Sequence, residues 1–549
     1  MLGLMQDRPL SLPHVFRRVE RYFGHKTVVS GRVGGETTMA WAEVCARARR
    51  LAAGLEKLGV SGDARVGTFA WNSHRHVELY LAVPCTGRVL HTINHRLFGE
   101  QITYIVNDAA DEVLFVDRSI LPVVWPLADT FGTVRAVVVM DDGGDTEIPD
   151  DPRIVDYEEL LARAGDSGRD FSVEDENTAA ALCYTSGTTG NPKGVLYSHR
   201  SVVMHASLLL MVDTFGISER DVVMPIVPMF HVNAWGLPYA AMMCGSDLVL
   251  PGPAMSSPEL AGMLAGHRVT FAAAVATVWR GLLPLLERHD FSAVRQIVSG
   301  GGAVDEALTI AYEKAIDVPL TNAWGMTETS PVVSSSRIAT AHDEYTPEQR
   351  RELLATPGPA IPLTEVRIVG DDGHEAPWDG RTPGELQASG PTVAAGYFGA
   401  SAAPDAFTED GWLRTGDVAT VDRYGYVRIV DRTKDLVKSG GEWISSVELE
   451  NAIMAHPGVA EAAIIGVADP KWGERPVACV VPVPGATLTA DAVREHLRRR
   501  VASWWLPDQV FFLDEIPKTA TGKFSKQRLR SLYARRVLRG PAVPRQQTS

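Results

Sequence analysis

No stretch of this chain approaches the roughly 18 uninterrupted apolar residues that a membrane-spanning helix needs. The longest apolar run, Phe271 to Trp279, is about half that length and rich in alanine. It reads as a buried strand or helix. Cysteine is scarce: Cys45, Cys85, Cys183, Cys244 and Cys479 are scattered, odd in number and include no close pair. That excludes a disulfide framework and a cysteine zinc site, and it fits a reducing cytosol. Each cysteine reads as a small buried hydrophobe. Positive charge is also short, with 53 Lys and Arg against 67 Asp and Glu and a net charge of −14. A nucleic-acid partner would need a basic surface, so none is expected. The first residues lack a basic stretch followed by an apolar run, so no secretory signal is read there and a cytoplasmic location is expected.

The 549 residues imply about three structural units. An apolar fraction of 45% with 22% charged residues permits a large core and excludes bulk disorder. No tandem repeat or low-complexity tract stands out. Ala64–Ala70 and Glu112–Val116 read as strands, His76–Ala82 has helical spacing, and a strand returns at Ala136–Met140. Strands alternating with helices imply α/β architecture with parallel sheets. The acidic, turn-rich segment Asp141 to Asn177 reads as a surface excursion. After Thr382 short strands predict a small β-rich subdomain at Gly384–Ala388, Trp412–Arg414 and Tyr426–Val430. From about Leu436 a mixed α/β pattern predicts a further compact domain. Between Lys518 and Arg545 stand nine Lys or Arg and no Asp or Glu. Such a run is a solvated helix face or an attractor for a polyphosphate ligand.

The most informative string is Tyr184-Thr-Ser-Gly-Thr-Thr-Gly-Asn-Pro-Lys-Gly-Val195, which follows an apolar strand at Ala179–Cys183. Gly187, Gly190 and Gly194 let backbone N–H groups approach an anion. Thr185, Ser186, Thr188 and Thr189 add hydroxyl donors, and Lys193 adds a positive charge. The set suits a triphosphate. It is not a Walker A loop, because Lys193 follows Pro192 and the sole Gly-Lys pair, Gly522-Lys523, is followed by Phe524.

This loop resembles the signature of the adenylate-forming superfamily: acyl-CoA synthetases, luciferases and peptide-synthetase adenylation domains. The remaining motifs follow in order from about Thr37 to Lys526, and the fatty acyl-CoA synthetase branch, acting on medium- or long-chain acids, is the resemblance carried furthest. It implies ATP, Mg²⁺ and CoA as cofactor and co-substrates. It implies a large N-terminal domain over 1–430 with parallel sheets and a β-rich subdomain, a hinge linker at 431–436, and a small mobile α+β domain at 437–549.

By the same resemblance, Gly301, Gly302 and Ala303 pack against adenine, and so does the strand Asn322-Ala323-Trp324-Gly325. Trp324 departs from the tyrosine usual in the family: the aromatic face is kept and a hydroxyl is lost. Thr327 touches the α-phosphate, and Glu328, with Thr185, holds Mg²⁺; a hard cation bridging phosphates calls for oxygen ligands. Asp417 accepts hydrogen bonds from the ribose hydroxyls, a role that suits a carboxylate. Asp431 is the hinge, Arg432 contacts nucleotide, and Lys438 falls in the same motif. Gly440 and Gly441 meet the pantetheine arm of CoA, and Trp443 reaches the adenylate. Lys523 is the catalytic lysine, whose ammonium offsets charge as a carboxylate approaches the α-phosphate.

On the acid side the resemblance implies that His231 lines the acyl site, although a lone histidine in an apolar stretch is usually a core residue, and Trp235 resembles the ring that gates a fatty-acid tunnel, where core packing is an equally simple reading. Gly236, Thr277 and Val332 are candidate tunnel lining. The sequence after Lys523 is too short for a carrier domain, so the acceptor is expected to be a separate molecule, CoA by default. The implied activity is an acid–CoA ligase forming acyl-AMP and then thioester. A short-chain or aryl acid ligase, and an enzyme loading a separate carrier protein, stay open. The segment Asp7 to Phe23 resembles that of dimeric fatty acyl-CoA synthetases, so a homodimer is expected.

Overall fold

The computed structural model describes residues 1, 3–165, 170–185, 191–302, 304, 306–399, 404–440, 442–518 and 524–535. The chain divides into two compact units, Met1–Glu365 with Ala388–Leu413, and Val366–Gln387 with Arg414–Ser549.

Two sheets build the first unit. One has seven strands in the order Ile154–Asp156, Ala136–Met140, Asp111–Asp117, Arg65–Phe69, Val89–Thr92, Ala179–Tyr184 and Gly194–Ser198. Neighbours are parallel except the last pair, which is antiparallel. Its interior strands are buried along most of their length, as a sheet covered on both faces requires; all four residues of Val89–Thr92 are buried, the polar His91 and Thr92 included. Helix His74–Cys85 is buried at every position, so it has no solvent face, and its polar residues His74, Arg75, His76 and Glu78 are buried with the rest. The other sheet has eight strands in the order Val332–Ser335, Leu320–Gly325, Gln296–Gly300, Phe271–Ala274, Val222–Pro225, Asp247–Leu250, Thr27–Arg32 and Gly35–Ala40. Only its two edge pairs are antiparallel. The apolar run expected as strand or helix is both: strand Phe271–Ala274 leads into helix Ala276–Leu282.

One expectation is corrected here. Asp141–Asn177 is not merely a surface excursion: Ile154–Asp156 is an edge strand of the seven-stranded sheet, and Tyr157–Ala164 is a helix. The acidic composition hides a short amphipathic stripe in which Tyr157, Leu160 and Leu161 are buried. Asp156 caps this helix by accepting from the Glu159 N–H at 2.7 Å. Arg47 then clamps it, forming a two-point pair with Glu158 and a 2.7 Å bond to the fully buried Glu78. The N-terminal helix Leu12–Phe23 turns its apolar stripe, Leu12, Val15, Phe16 and Val19, into the core of its own unit.

The second unit carries a four-stranded sheet, in the order Glu365–Val369, Gly384–Ser389, Leu413–Val421 and Val427–Arg432. The three short strands expected after Thr382 are therefore present. It also carries a five-stranded sheet whose central hairpin is Val459–Asp469 with Gly473–Pro482. Helices Ser446–Met454 and Lys526–Ala534 both lie against strand Val459–Asp469.

Candidate active site

In the first unit three motif turns leave the carboxyl ends of sheet strands: Thr185 after Tyr184, Gly301 after Gly300, and Met326 after Gly325. That end of a parallel sheet is where α/β folds collect their ligand loops. The foot of the phosphate loop is closed by two bonds: the Thr185 N–H donates to the Lys193 carbonyl at 2.9 Å, and the Lys193 N–H donates to the Thr185 hydroxyl at 3.2 Å. Ser186, Gly187, Thr188, Thr189 and Gly190, together with Ala303, Gly441 and Lys523, lie outside the described residues.

The turn bearing Thr327 and Glu328 is built tightly. The Thr329 hydroxyl accepts from the Met326 N–H at 2.9 Å, and Tyr197 donates its hydroxyl to the Thr327 carbonyl at 2.6 Å. A Cβ on Gly325 would stand 1.7 Å from the Pro331 oxygen, so only glycine fits before this turn. Glu328 is buried, and its Oε1 accepts from the Tyr397 hydroxyl at 2.7 Å. Lys193 holds its ammonium 4.9 Å above the Tyr397 ring. Phosphate-loop lysine, acidic turn and Tyr397 thus form one cluster. Tyr397 was not singled out in the sequence; the Gly-Tyr-Phe string gave no signal by itself.

Among the described residues no three His, Cys, Asp or Glu side chains gather into a metal cage. A single buried carboxylate beside a phosphate loop fits Mg²⁺, which keeps water and substrate phosphates as its other ligands. Glu328 is the described carboxylate that would hold it, with the Thr185 hydroxyl at the loop's foot.

Asn322 is buried, and its amide donates to the Ala355 carbonyl at 2.9 Å, fixing the strand edge. Trp324 and Gly325 are half-buried at the strand end, where the pairing with Val332–Ser335 shifts register; Ala323 beside them is buried. Gly302 has open space where a side chain would be, and Gly301 has φ of +78°.

The residues expected on the acid side lie at a strained turn. Val232, Asn233, Ala234, Trp235 and Gly236 have φ of +47°, +50°, +49°, +56° and +75°. Four consecutive non-glycine residues in left-handed conformation cost roughly 1–2 kcal/mol each, and such strain concentrates at functional sites. His231 precedes the turn, half-buried, its N–H bonded to the Pro228 carbonyl at 3.0 Å. Trp235 is buried, and a Cβ on Gly300 would lie 3.0 Å from its ring. A Cβ on Gly236 would lie 2.6 Å from Nδ1 of His205. The Val332 N–H donates to Nε2 of His205 at 3.2 Å. Burial pushes the His205 pKa down to about 3, so the ring is neutral and carries its proton on Nδ1. His205 therefore joins Gly236 and Val332, and the sequence reading missed it. Thr277 is exposed on the first turn of its helix and makes no hydrogen bond to this cluster among the described residues.

In the second unit Asp417 is buried and paired with Arg432 across the strand register, Nε to Oδ1 at 3.1 Å. Asp431 is buried; its Oδ1 accepts from the Arg432 N–H at 2.7 Å and its Oδ2 from the Ser446 N–H. Burial raises its pKa, against the pull of Lys526. Lys526 in turn is held by Glu450 at 2.8 Å and by the Ser446 hydroxyl. Lys438 and Trp443 face each other across a short hairpin, ammonium 4.3 Å from the ring. Gly440, with φ of +65°, opens the turn, and a Cβ there would meet the Trp472 ring at 2.9 Å.

Comparison with known proteins places this geometry. The family model of the AMP-binding enzyme matches residues 15–398, and that of the AMP-binding enzyme C-terminal domain matches 448–523. The medium-chain-fatty-acid–CoA ligase of Ectopseudomonas oleovorans is 42% identical over 98% of this chain and 99% of its own. The long-chain-fatty-acid–CoA ligase of Thermus thermophilus is 45% identical over 96% of both chains. The crystal structure of the anthranilate CoA ligase AuaEII with anthranoyl-AMP superposes with a TM-score of 0.86 at 26% identity, covering 97% of this chain and 100% of that one. With its phosphate loop, acidic turn and C-terminal domain in family order along nearly the whole chain, the protein belongs to the AMP-binding enzymes.

Proposed function

We propose that this protein is an ATP-dependent acid–CoA ligase acting on medium- to long-chain fatty acids. The observation that carries the reading is the cluster of Lys193, Tyr397 and Glu328, whose loops leave strands of both sheets of the first unit, in a chain 42–45% identical to fatty-acid–CoA ligases over almost its full length. The acid carboxylate attacks the α-phosphorus of ATP, the bond to pyrophosphate breaks, and acyl-AMP forms. The CoA thiol then attacks the acyl carbon, releasing AMP. Lys193 and Thr327 bind phosphate oxygens, and the Glu328 carboxylate holds the cation. Mg²⁺, when bound, neutralises phosphate charge. Asp417 takes the ribose hydroxyls and Arg432 a nucleotide oxygen. Lys523 stabilises the carboxylate and bridging oxygen during adenylation.

Asp431 is the hinge between an N-terminal domain over 1–430 and a lid beginning at 437. Trp235 closes an acyl tunnel whose wall includes Gly236, Val332 and the neutral His205. A cytoplasmic homodimer completes the reading. An aryl acid is the second reading, favoured by the anthranilate ligase among the similar structures.

Pyrophosphate release with MgATP and CoA, measured across straight-chain acids from acetate to palmitate and on benzoate, tests both. A maximum among the C6–C16 aliphatic acids, with the thioester seen by mass spectrometry, is the expected outcome. A maximum at benzoate would move the substrate to the aryl class. Adenylation without any CoA thioester would move the acceptor to a carrier protein.

A further inference from the structure

The segment from Thr392 to Phe398 takes no part in the roles assigned above, yet it is strapped to both halves of the phosphate site. The Ser330 hydroxyl donates to the Thr392 carbonyl at 2.8 Å, and the Ala394 N–H donates to the Glu328 carbonyl at 2.7 Å. At its other end, the Phe398 N–H donates to the Gly194 carbonyl at 2.8 Å, next to Lys193. Between these anchors stands Tyr397. Its hydroxyl donates to Glu328 Oε1 at 2.7 Å, and its ring lies 4.9 Å from the Lys193 ammonium. The ring of Phe407 supports it, centroids 5.9 Å apart.

A lysine and a carboxylate brought to one site attract each other. A direct ion pair would satisfy both charges and leave neither for a ligand. Among the described residues neither Lys193 nor Glu328 is in an ion pair. Tyr397 occupies the place between them. It gives the ammonium a π face, a contact weaker than a carboxylate but enough to orient it. It gives the carboxylate a neutral donor, which fixes one oxygen without discharging it. The phenol stays protonated at working pH, because burial and the Glu328 charge both push its pKa up.

We propose that Tyr397 is a positioning residue that keeps Lys193 and Glu328 apart and oriented, so that the ATP phosphates and Mg²⁺ meet two preformed, uncompensated charges. The inference rests on the acid–CoA ligase reading of the site.

Two variants separate the ring from the hydroxyl. Tyr397→Phe keeps the π face and loses the donor; Tyr397→Leu loses both. Equilibrium ATP binding is titrated against Mg²⁺ by calorimetry, with no acid or CoA present. For Tyr397→Phe the half-saturating Mg²⁺ concentration rises about tenfold, while ATP affinity at saturating Mg²⁺ stays within twofold. That tenfold corresponds to about 1.4 kcal/mol, the low end for a hydrogen bond to a charged acceptor. For Tyr397→Leu, ATP affinity also falls several-fold at saturating Mg²⁺, because Lys193 is released. Thioester formation from preformed acyl-AMP and CoA stays near wild type in both. A Tyr397→Phe protein with wild-type Mg²⁺ dependence overturns the proposal, and so does an equal loss of both half-reactions, which would mark Tyr397 as structural support. The Phe variant alone decides if the Leu variant does not fold. The wild type is read first: absence of Mg²⁺-dependent ATP binding there sinks the ligase reading itself.

Discussion

Asp117 ends an inner strand of the seven-stranded sheet, fully buried, and among the described residues its side chain has only the Trp71 N–H, at 2.7 Å, as hydrogen-bond partner. Burial, offset in part by Arg75 and reinforced by Asp142, raises its pKa to about 7. The unfolded carboxyl titrates near 3.9. Between these values the folded state holds a proton that the unfolded state has released. Stability from this group therefore falls as pH rises from about 4 to about 7, and is flat above. Asparagine keeps an acceptor for the Trp71 N–H and never charges. Asp117→Asn should therefore match the wild type near pH 4 and melt at higher temperature at pH 8, by an amount approaching 1.4 kcal/mol for each pH unit crossed between about 4 and about 7. Melting curves at the two pH values check it; a variant no more stable at pH 8 than at pH 4, relative to wild type, would mean that the carboxylate is ionised and satisfied by Arg75.

At the scale of elements, the acidic turn is held by its glycine. Gly325→Ala drives a Cβ to 1.7 Å from the Pro331 oxygen, which is backbone and cannot step aside. The strand end must shift, and with it Thr327 and Glu328. Overpacking of this kind costs on the order of 1–3 kcal/mol. Adenylation should fall by more than tenfold, a larger loss than the thermal destabilisation explains; a drop in melting temperature with full activity would detach the turn from catalysis. This turn was legible in the sequence because Asn322 to Glu328 is a compact string with distinct chemistry at each position. The left-handed run at Val232–Trp235 was not. Asparagine favours that conformation, but valine, alanine and tryptophan do not, so local preference pointed elsewhere and tertiary packing overrode it. His205 was hidden for a related reason. It lies on helix His199–Leu210, far in sequence from Val332 and Gly236, and only the fold brings them together. Helix Tyr157–Ala164 was masked by acidic neighbours that turn out to be its cap and its clamp partner.

Across the whole molecule, the alternation of strands and helices foretold the parallel sheets, and the short strands after Thr382 foretold the four-stranded sheet. Strand order could not be read, because it depends on pairings between segments distant in sequence. The residues proposed for the chemistry are likewise spread along the chain: Lys193 and Glu328 belong to the first unit, Asp417, Asp431 and Lys523 to the second. In the proposed reaction such a division would give the two half-reactions different residue requirements. Adenylation brings a carboxylate against a phosphate and needs an ammonium at the new bond. Thioester formation breaks that bond with a thiol and needs the ammonium out of the way. Lys526, three residues beyond Lys523 in the sequence, is tied through Glu450 and Ser446 to the helix whose first N–H bonds the Asp431 carboxylate. Lys523→Ala should lower acyl-AMP formation by at least a hundredfold, measured by pyrophosphate release, and leave thioester formation from preformed acyl-AMP and CoA within a few-fold of wild type. If both half-reactions fall together, Lys523 serves the thiol step as well, and withdrawal of the lysine between steps is wrong.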